Sequence, residues 1–204
     1  LPMITTVSAM TWSFDLPMPY TTDRFYVMDD ELRVLHPPFT SFEGYVDAFY
    51  DSAKWQTTRE LFAANDTMYN SFIMRASILD HSSLFRLIRR AYAQRYMRSM
   101  RKAIFDGTGF RSSSEQVQVA RAIIREFAKQ ARSDGIIPVI FIVNNLGYSD
   151  YLFQALRPAL EKDNIPYLSS HTIVSADDPR GYLPDSHFTD EVDDKLAAAL
   201  EKII

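Results

Sequence analysis

Asp185, Ser186 and His187, in the closing stretch "GYLPDSHFTDEVDDKLAAAL", have the types and spacing to do chemistry. An imidazole can take and return a proton near neutral pH. A carboxylate two residues away can accept from one ring nitrogen, fixing the tautomer and stabilising the charged ring. A serine hydroxyl needs such a base, because it holds its own proton too tightly to attack at neutral pH. The same triplet also reads as a loop histidine with an acid at a helix entry, so the spacing alone leaves both readings open. Other combinations offer less. His36, His81, His171 and His187 lack the spacing of a metal site and cysteine is absent, so neither a metal nor a cofactor is called for. Asn144 and Asn145 read as turn residues after an apolar run, and Asp177 and Asp178 beside Pro179 and Arg180 as a charged turn. "GTGF" at Gly107 lacks the strand and spacing of a phosphate loop.

To position the Asp185 loop, the C-terminal half must supply strands and helices in alternation. Ser112 to Ser114 can cap a helix from about Glu115 to Arg132, whose stripe of Val117, Ala120, Ile124, Phe127 and Ala131 predicts one buried face. "IIPVIFIV" is a continuous apolar run, the pattern of a parallel strand buried on both faces. A helix near Tyr151 to Asp163, a short strand in "IPYLSS" and a last helix from about Asp190 to Ile203 follow, the last with Val192, Leu196, Ala199, Leu200 and Ile203 inward. Right-handed crossovers place such strands side by side, so the expected fold is α/β, a three-layer α/β/α arrangement around a parallel sheet. Ligand loops in such sheets lie beyond the carboxyl ends of the strands, which is where "NNLGYSD" and the Asp185 loop fall.

The N-terminal half reads differently. "MITTVSAM" (Met3 to Met10) predicts a strand, and "RFYVMDDELRVL" a hairpin turning at Asp29 and Asp30. Residues 41–110 are expected to form a helical insertion within a single domain spanning 1–204. In it, Asp80 to Ser83 offer caps for a helix with Leu84, Leu87, Ile88, Ala91 and Tyr92 at helical spacing. That helix is basic. Of the chain's 22 Lys and Arg, Arg86, Arg89, Arg90, Arg95, Arg98, Arg101 and Lys102 lie together with no acid among them, leaving 15 against 26 Asp and Glu elsewhere. Such a run is commonly a solvated face pairing with acidic neighbours; the functional reading is contact with anionic lipid, glycan or a protein partner.

The net charge of −4 argues against nucleic acid as the partner of the whole surface. No apolar run approaches the roughly 20 residues of a membrane span, and the start shows no signal-peptide pattern. The compartment stays open.

The last 90 or so residues resemble the C-terminal part of the SGNH/GDSL hydrolase superfamily. The resemblance rests on a long helix ending in "ARSDG", the strand "IIPVIFIV", a helix, the strand "NIPYLSS", and the tyrosine-bearing approach to Asp185 and His187. It implies an ester hydrolase or acyl transferase acting on a small-molecule or glycan-linked acyl ester through a Ser-His-Asp triad, with His187 as base and Asp185 as its orienting acid. The chain departs from the family pattern at Thr189, where Asn is common, and at Val192, where Gly is common. The family's oxyanion Asn would fall near Met10 or Thr11, neither an equivalent donor. The G-D-S block bearing the nucleophile does not occur, and in family order it precedes Leu1. The expectation is a domain lacking its N-terminal strands and inactive alone. Ser8, at the end of the first expected strand, is the candidate nucleophile within the chain, though it lacks the Gly-Asp before it. A sheet missing strands would expose an edge, predicting self-association. The rival from another class is an inactive SGNH-like binding module that holds an anionic partner on the basic helix. A third reading is a flavodoxin-like ligand-binding domain with the Asp-His pair incidental.

Overall fold

The structure, a computed structural model, describes residues 11–12, 20–21, 23–36, 38–39, 41–74 and 77–203. The expected strand Met3 to Met10, Ser8 included, lies outside the described residues. β1 (Thr11–Trp12) pairs antiparallel with β2 (Tyr20–Thr21). β3 (Arg24–Met28) and β4 (Glu31–Leu35) form the expected hairpin, Arg24 opposite Leu35 and Met28 opposite Glu31. Asp29 and Asp30 make its turn with φ of 52° and 60°. Two left-handed residues give the turn whose twist matches that of the strands, and a short carboxylate tolerates that region better than most side chains. The hairpin packs on the long helix that follows the insertion. Arg24 pins it there, donating to the Asn65 carbonyl and to Glu115 Oε1 at 2.7 Å.

Four helices follow. α1 (Phe42–Tyr50) is capped by Ser41, whose hydroxyl accepts from Gly44 N–H, and α2 (Ser52–Asn65) by Asp51, which accepts from Ala53 and Lys54. α3 (Ser71–Met74) is one turn, and a 3₁₀ turn at Ile78–His81 leads into α4 (Ser83–Ile104), capped by Ser82. Caps matter here because the first N–H groups of a helix have no partner within it. Met68, Ile104 and Phe110 bind this region to the main core, where they pack with Val117, Ala128, Ile142, Ala155, Leu156, Leu160 and Ile165.

α4 is where sequence and structure part. Of the stripe Leu84, Leu87, Ile88, Ala91 and Tyr92, the first four point out, Leu84, Leu87 and Ile88 being 66%, 64% and 51% exposed, while Tyr92 packs against Phe72. The inner side is made instead by Phe85, Arg89, Ala93, Tyr96, Met97 and Ile104. Phe72 of α3 packs edge-on against Phe85 and Tyr92, and Arg89 lies 4.9 Å over the Phe85 ring. Both faces of α4 carry helical periodicity, and the aromatic one found the partner.

α5 (Glu115–Ser133) starts at the expected cap, Ser114. Val117 and Ala131 are buried and Ala120 and Ile124 partly so, as the stripe predicts, but Phe127 faces solvent and Ala128 takes the core position. β5 (Ile140–Ile142), α6 (Tyr151–Lys162), β6 (Tyr167–Ser169) and α7 (Asp190–Leu200) complete the chain in the predicted order. β5 and β6 are parallel, Ile140 opposite Tyr167 and Ile142 opposite Ser169. The strand is shorter and less covered than "IIPVIFIV" predicts: Ile142 is buried, whereas Ile136, Ile137, Phe141 and Val143 are exposed. Burial on both faces needs cover on both, and among the described residues β5 pairs only with β6.

Successive strand residues point to opposite faces. Ile140, Ile142 and Tyr167 pack with α5 and α6; Leu168 packs with Val192 and Leu196 of α7, with Ala199, Leu200 and Ile203 beside them as expected. The architecture is therefore mixed α/β and largely helical, with one parallel strand pair among the described residues.

Candidate functional site

The loop bearing Asp185 and His187 is a tight hairpin between β6 and α7. Tyr182 and Phe188 bridge across it with rings 5.2 Å apart. Leu183 N–H donates to the His187 carbonyl at 2.7 Å, and Ser186 N–H to the Leu183 carbonyl at 2.9 Å. Ser186, at φ 72°, carries the reversal. Its left-handed backbone swings His187 back over Asp185.

Within that turn the two side chains meet. His187 Nδ1 lies 3.0 Å from Asp185 Oδ2, and His187 N–H donates to Asp185 Oδ1 at 3.2 Å. Both carboxylate oxygens are thus engaged, and hydrogen bonding from the His187 ring, then from its backbone N–H, holds the Asp185 carboxyl below its ordinary range. With Nδ1–H on the carboxylate, Nε2 is left to accept a proton, the arrangement of a general base and its orienting acid. The pair stands in solvent, with His187 81% and Asp185 65% exposed. In water such a pair gains little energy, and charge stabilisation there is weak compared with that in a closed site. No side chain among the described residues hydrogen-bonds to Nε2; Thr11 is placed in β1, and Ser8 and Met10 lie outside the described residues.

Beneath the loop is a polar cluster that sequence reasoning missed. Asn144, the second residue beyond β5, is not a surface turn residue but 1% exposed. Its Nδ2 donates to Ser169 Oγ at 2.8 Å, and its backbone N–H to Ser170 Oγ at 2.9 Å. Ser169 Oγ also lies 2.8 Å from His171 Nδ1, and the His171 ring sits 4.7 Å from that of Phe153. The buried Tyr182 hydroxyl donates to the Asn144 carbonyl at 3.0 Å; burial raises its pKa above the ordinary phenol value. Gly147 N–H donates to the Ala176 carbonyl, stitching the loop after β5 to the loop after β6. The cluster joins the carboxyl ends of both parallel strands and holds the root of the Asp185 hairpin through Tyr182. Ser169 pairs with a histidine, yet it is buried without access for a substrate, so its work is to tie strands together. The readable signal was polar residues just past two apolar runs, Asn144 after "IIPVIFIV" and Ser169 and Ser170 after "IPYL".

Gly181 sets the spacing of this root. A Cβ there would lie 2.3 Å from Val174 Cγ2, far inside carbon contact distance. Its carbonyl accepts from Thr189 N–H at the start of α7.

Asp177 and Asp178 behave as the charged turn expected. Asp178 pairs with Arg180 at 2.7 Å, and the Arg180 side chain, then its backbone N–H, lowers the Asp178 pKa to about 2. Among the described residues no group of three or more His, Asp or Glu could hold a metal ion. No family model, curated protein or solved structure matches the chain.

Proposed function

We propose that this chain is an SGNH-type α/β domain whose Asp185–His187 pair serves an ester hydrolase or acyl transferase. The supporting observation is the pair itself: both carboxylate oxygens of Asp185 hold His187, leaving Nε2 free, on a hairpin anchored at the carboxyl ends of two parallel strands. In this reading Nε2 takes the proton of a serine hydroxyl as that oxygen attacks the ester carbonyl, and returns it to the leaving alcohol. The acyl-enzyme is then resolved by water or an acceptor hydroxyl that the same imidazole activates. The serine is the part no described residue supplies; in the order of the resembled family it precedes the first strand. The substrate is a small-molecule or glycan-linked acyl ester.

Two features favour a wider three-layer sheet. α5 and α6 pack on one side of the strand pair while α7 reaches Leu168 on the other. Phe141 in β5 and Val143 just beyond it stand exposed, and the second edge of that strand has no partner among the described residues.

The test is hydrolysis of a short-chain aryl ester by this chain and by the chain extended through its upstream coding sequence, each with a His187→Ala control. Activity of the extended form that vanishes with His187 supports the triad. Activity indifferent to His187, or none in a well-folded extended form, refutes it. A second reading, an inactive module holding an anionic partner, is favoured by α4, on which only Arg89 pairs with a carboxylate among the described residues.

A further inference from the structure

α4 has one side anchored and one side free. The anchored side is aromatic and apolar: Phe85 and Tyr92 against Phe72, Tyr96 donating to the Tyr69 carbonyl, and Met97 and Ile104 in the main core. On the free side, residues three and four apart form a continuous strip. Its first two turns are Leu84, Leu87, Ile88 and Ala91; its last turns are Arg95, Arg98 and Lys102, flanked by Arg101. The 3₁₀ turn just before α4 adds Ile78 and Leu79, also exposed. The strip is thus an apolar tip continued by a cationic shaft.

The charges are not spent within the fold. Arg89 pairs with Asp80, whose carboxyl is held low first by Ser77 N–H and then by Arg89, and Arg86 donates to the Asp80 carbonyl and Ser83. Among the described residues Arg90, Arg95, Arg98, Arg101 and Lys102 form no salt bridge, and no acidic residue lies anywhere in α4. In an otherwise acidic chain this concentrates positive potential where large apolar side chains are also exposed.

We propose that this face of α4 docks on the surface of an anionic lipid bilayer. A purely polar acidic groove or a soluble polyanion would engage the cations but leave Leu84, Leu87 and Ile88 in water. A second copy of the chain would cover the apolar tip but bring a like-charged shaft with it. A bilayer with anionic headgroups meets both needs, since apolar side chains enter the headgroup boundary while guanidinium groups stay at phosphate level. The contact is peripheral, for no described helix is long and apolar enough to cross a membrane. It gives the binding-module reading its partner and rests on α4 alone, whether or not His187 is catalytic.

The experiment is flotation of the full chain with phosphatidylcholine vesicles, with and without about one third phosphatidylglycerol, at low and high salt. Heparin retention and sedimentation equilibrium run alongside. One variant carries Leu87→Gln and Ile88→Gln, another Arg95→Gln, Arg98→Gln and Lys102→Gln; all five positions are exposed, and circular dichroism verifies folding. Expected is binding to the anionic vesicles only, weakened by salt, and reduced roughly 100-fold by loss of the three cations at about 1 kcal/mol each. Loss of the two apolar side chains should cost roughly tenfold. His187→Ala should bind as the parent does. Equal binding to neutral vesicles, or binding that ignores either variant, overturns the proposal. Heparin retention without vesicle binding overturns it in favour of a soluble polyanion. A dimer abolished by Leu87→Gln and Ile88→Gln, with vesicles ignored, overturns it in favour of a second copy.

Discussion

Substituting Gly181 by alanine tests how the Asp185 hairpin is held. Gly181 does not occupy the left-handed region, so what the position demands is room rather than conformational freedom. The new Cβ would sit 2.3 Å from Val174 Cγ2 and 3.6 Å from Val192 Cγ2. Carbon atoms pack at about 3.5–4.0 Å, so the first contact must open by more than about 1 Å. Val174 cannot yield easily, because a β-branched side chain has few allowed rotamers and this one packs against the cluster of Leu168, Val192 and Leu196. Overpacking of this kind costs about 1–3 kcal/mol. For a chain of this size that is a fall in Tm of roughly 2–12 °C. The assay is thermal and urea unfolding followed by circular dichroism for Gly181→Ala, Val174→Ala and the double variant. Removing Cγ2 should relieve the clash, so the double variant should be more stable than the sum of the singles by at least about 1 kcal/mol. A Gly181→Ala protein with the parent's Tm, or a coupling below about 0.5 kcal/mol, would refute the reasoning.

Further outcomes are expected elsewhere. Asn144→Ala should cost about 1–3 kcal/mol in urea unfolding, because it removes the donor to buried Ser169 and loosens both strand ends. Asp30→Gly should stabilise the chain by about 0.5–1 kcal/mol, since glycine occupies φ near 60° without the Cβ penalty; an unchanged midpoint would count against the turn assignment. In NMR titration Asp178 should lose its proton with a pKa of about 2, and Arg180→Ala should move that midpoint upward. Asp185 should titrate below the ordinary Asp value, and His187→Ala should raise it. Both carboxyls have depressed folded-state pKa values. Their stabilisation is therefore present above the ordinary Asp pKa and lost as pH falls through the lowered one, so stability should decline on the acid side while staying flat above it.

The parts legible in sequence were those governed by neighbours along the chain. Asp29 and Asp30 make a hairpin turn because two short carboxylates between β-prone runs tolerate left-handed backbone. Ser114 caps α5 because a hydroxyl there reaches the N–H of Val117. Asp185 finds His187 because the two are joined by one residue able to reverse the chain. Even α7 is legible, its stripe of Val192, Leu196 and Leu200 being its main apolar face.

Tertiary structure alone decided what lies against those elements. α4 has two faces with helical periodicity; which one is buried depends on where α3 presents Phe72, and no spacing within α4 encodes that. Phe127 and Ala128 are adjacent, and which of the two meets the main core depends on how α5 seats against its neighbours. "IIPVIFIV" reads as doubly covered because its composition is uniformly apolar, yet cover is a property of neighbours, and Phe141 and Val143 lack it. Asn144 looked like turn chemistry until β6 arrived beside β5 with Ser169 and Ser170 to meet its amide and N–H. The sequence by itself determined the short-range pairing of Asp185 with His187. The fold determined that this pair stands in water at the end of a parallel strand pair, because exposure is set by contacts between residues far apart in the chain.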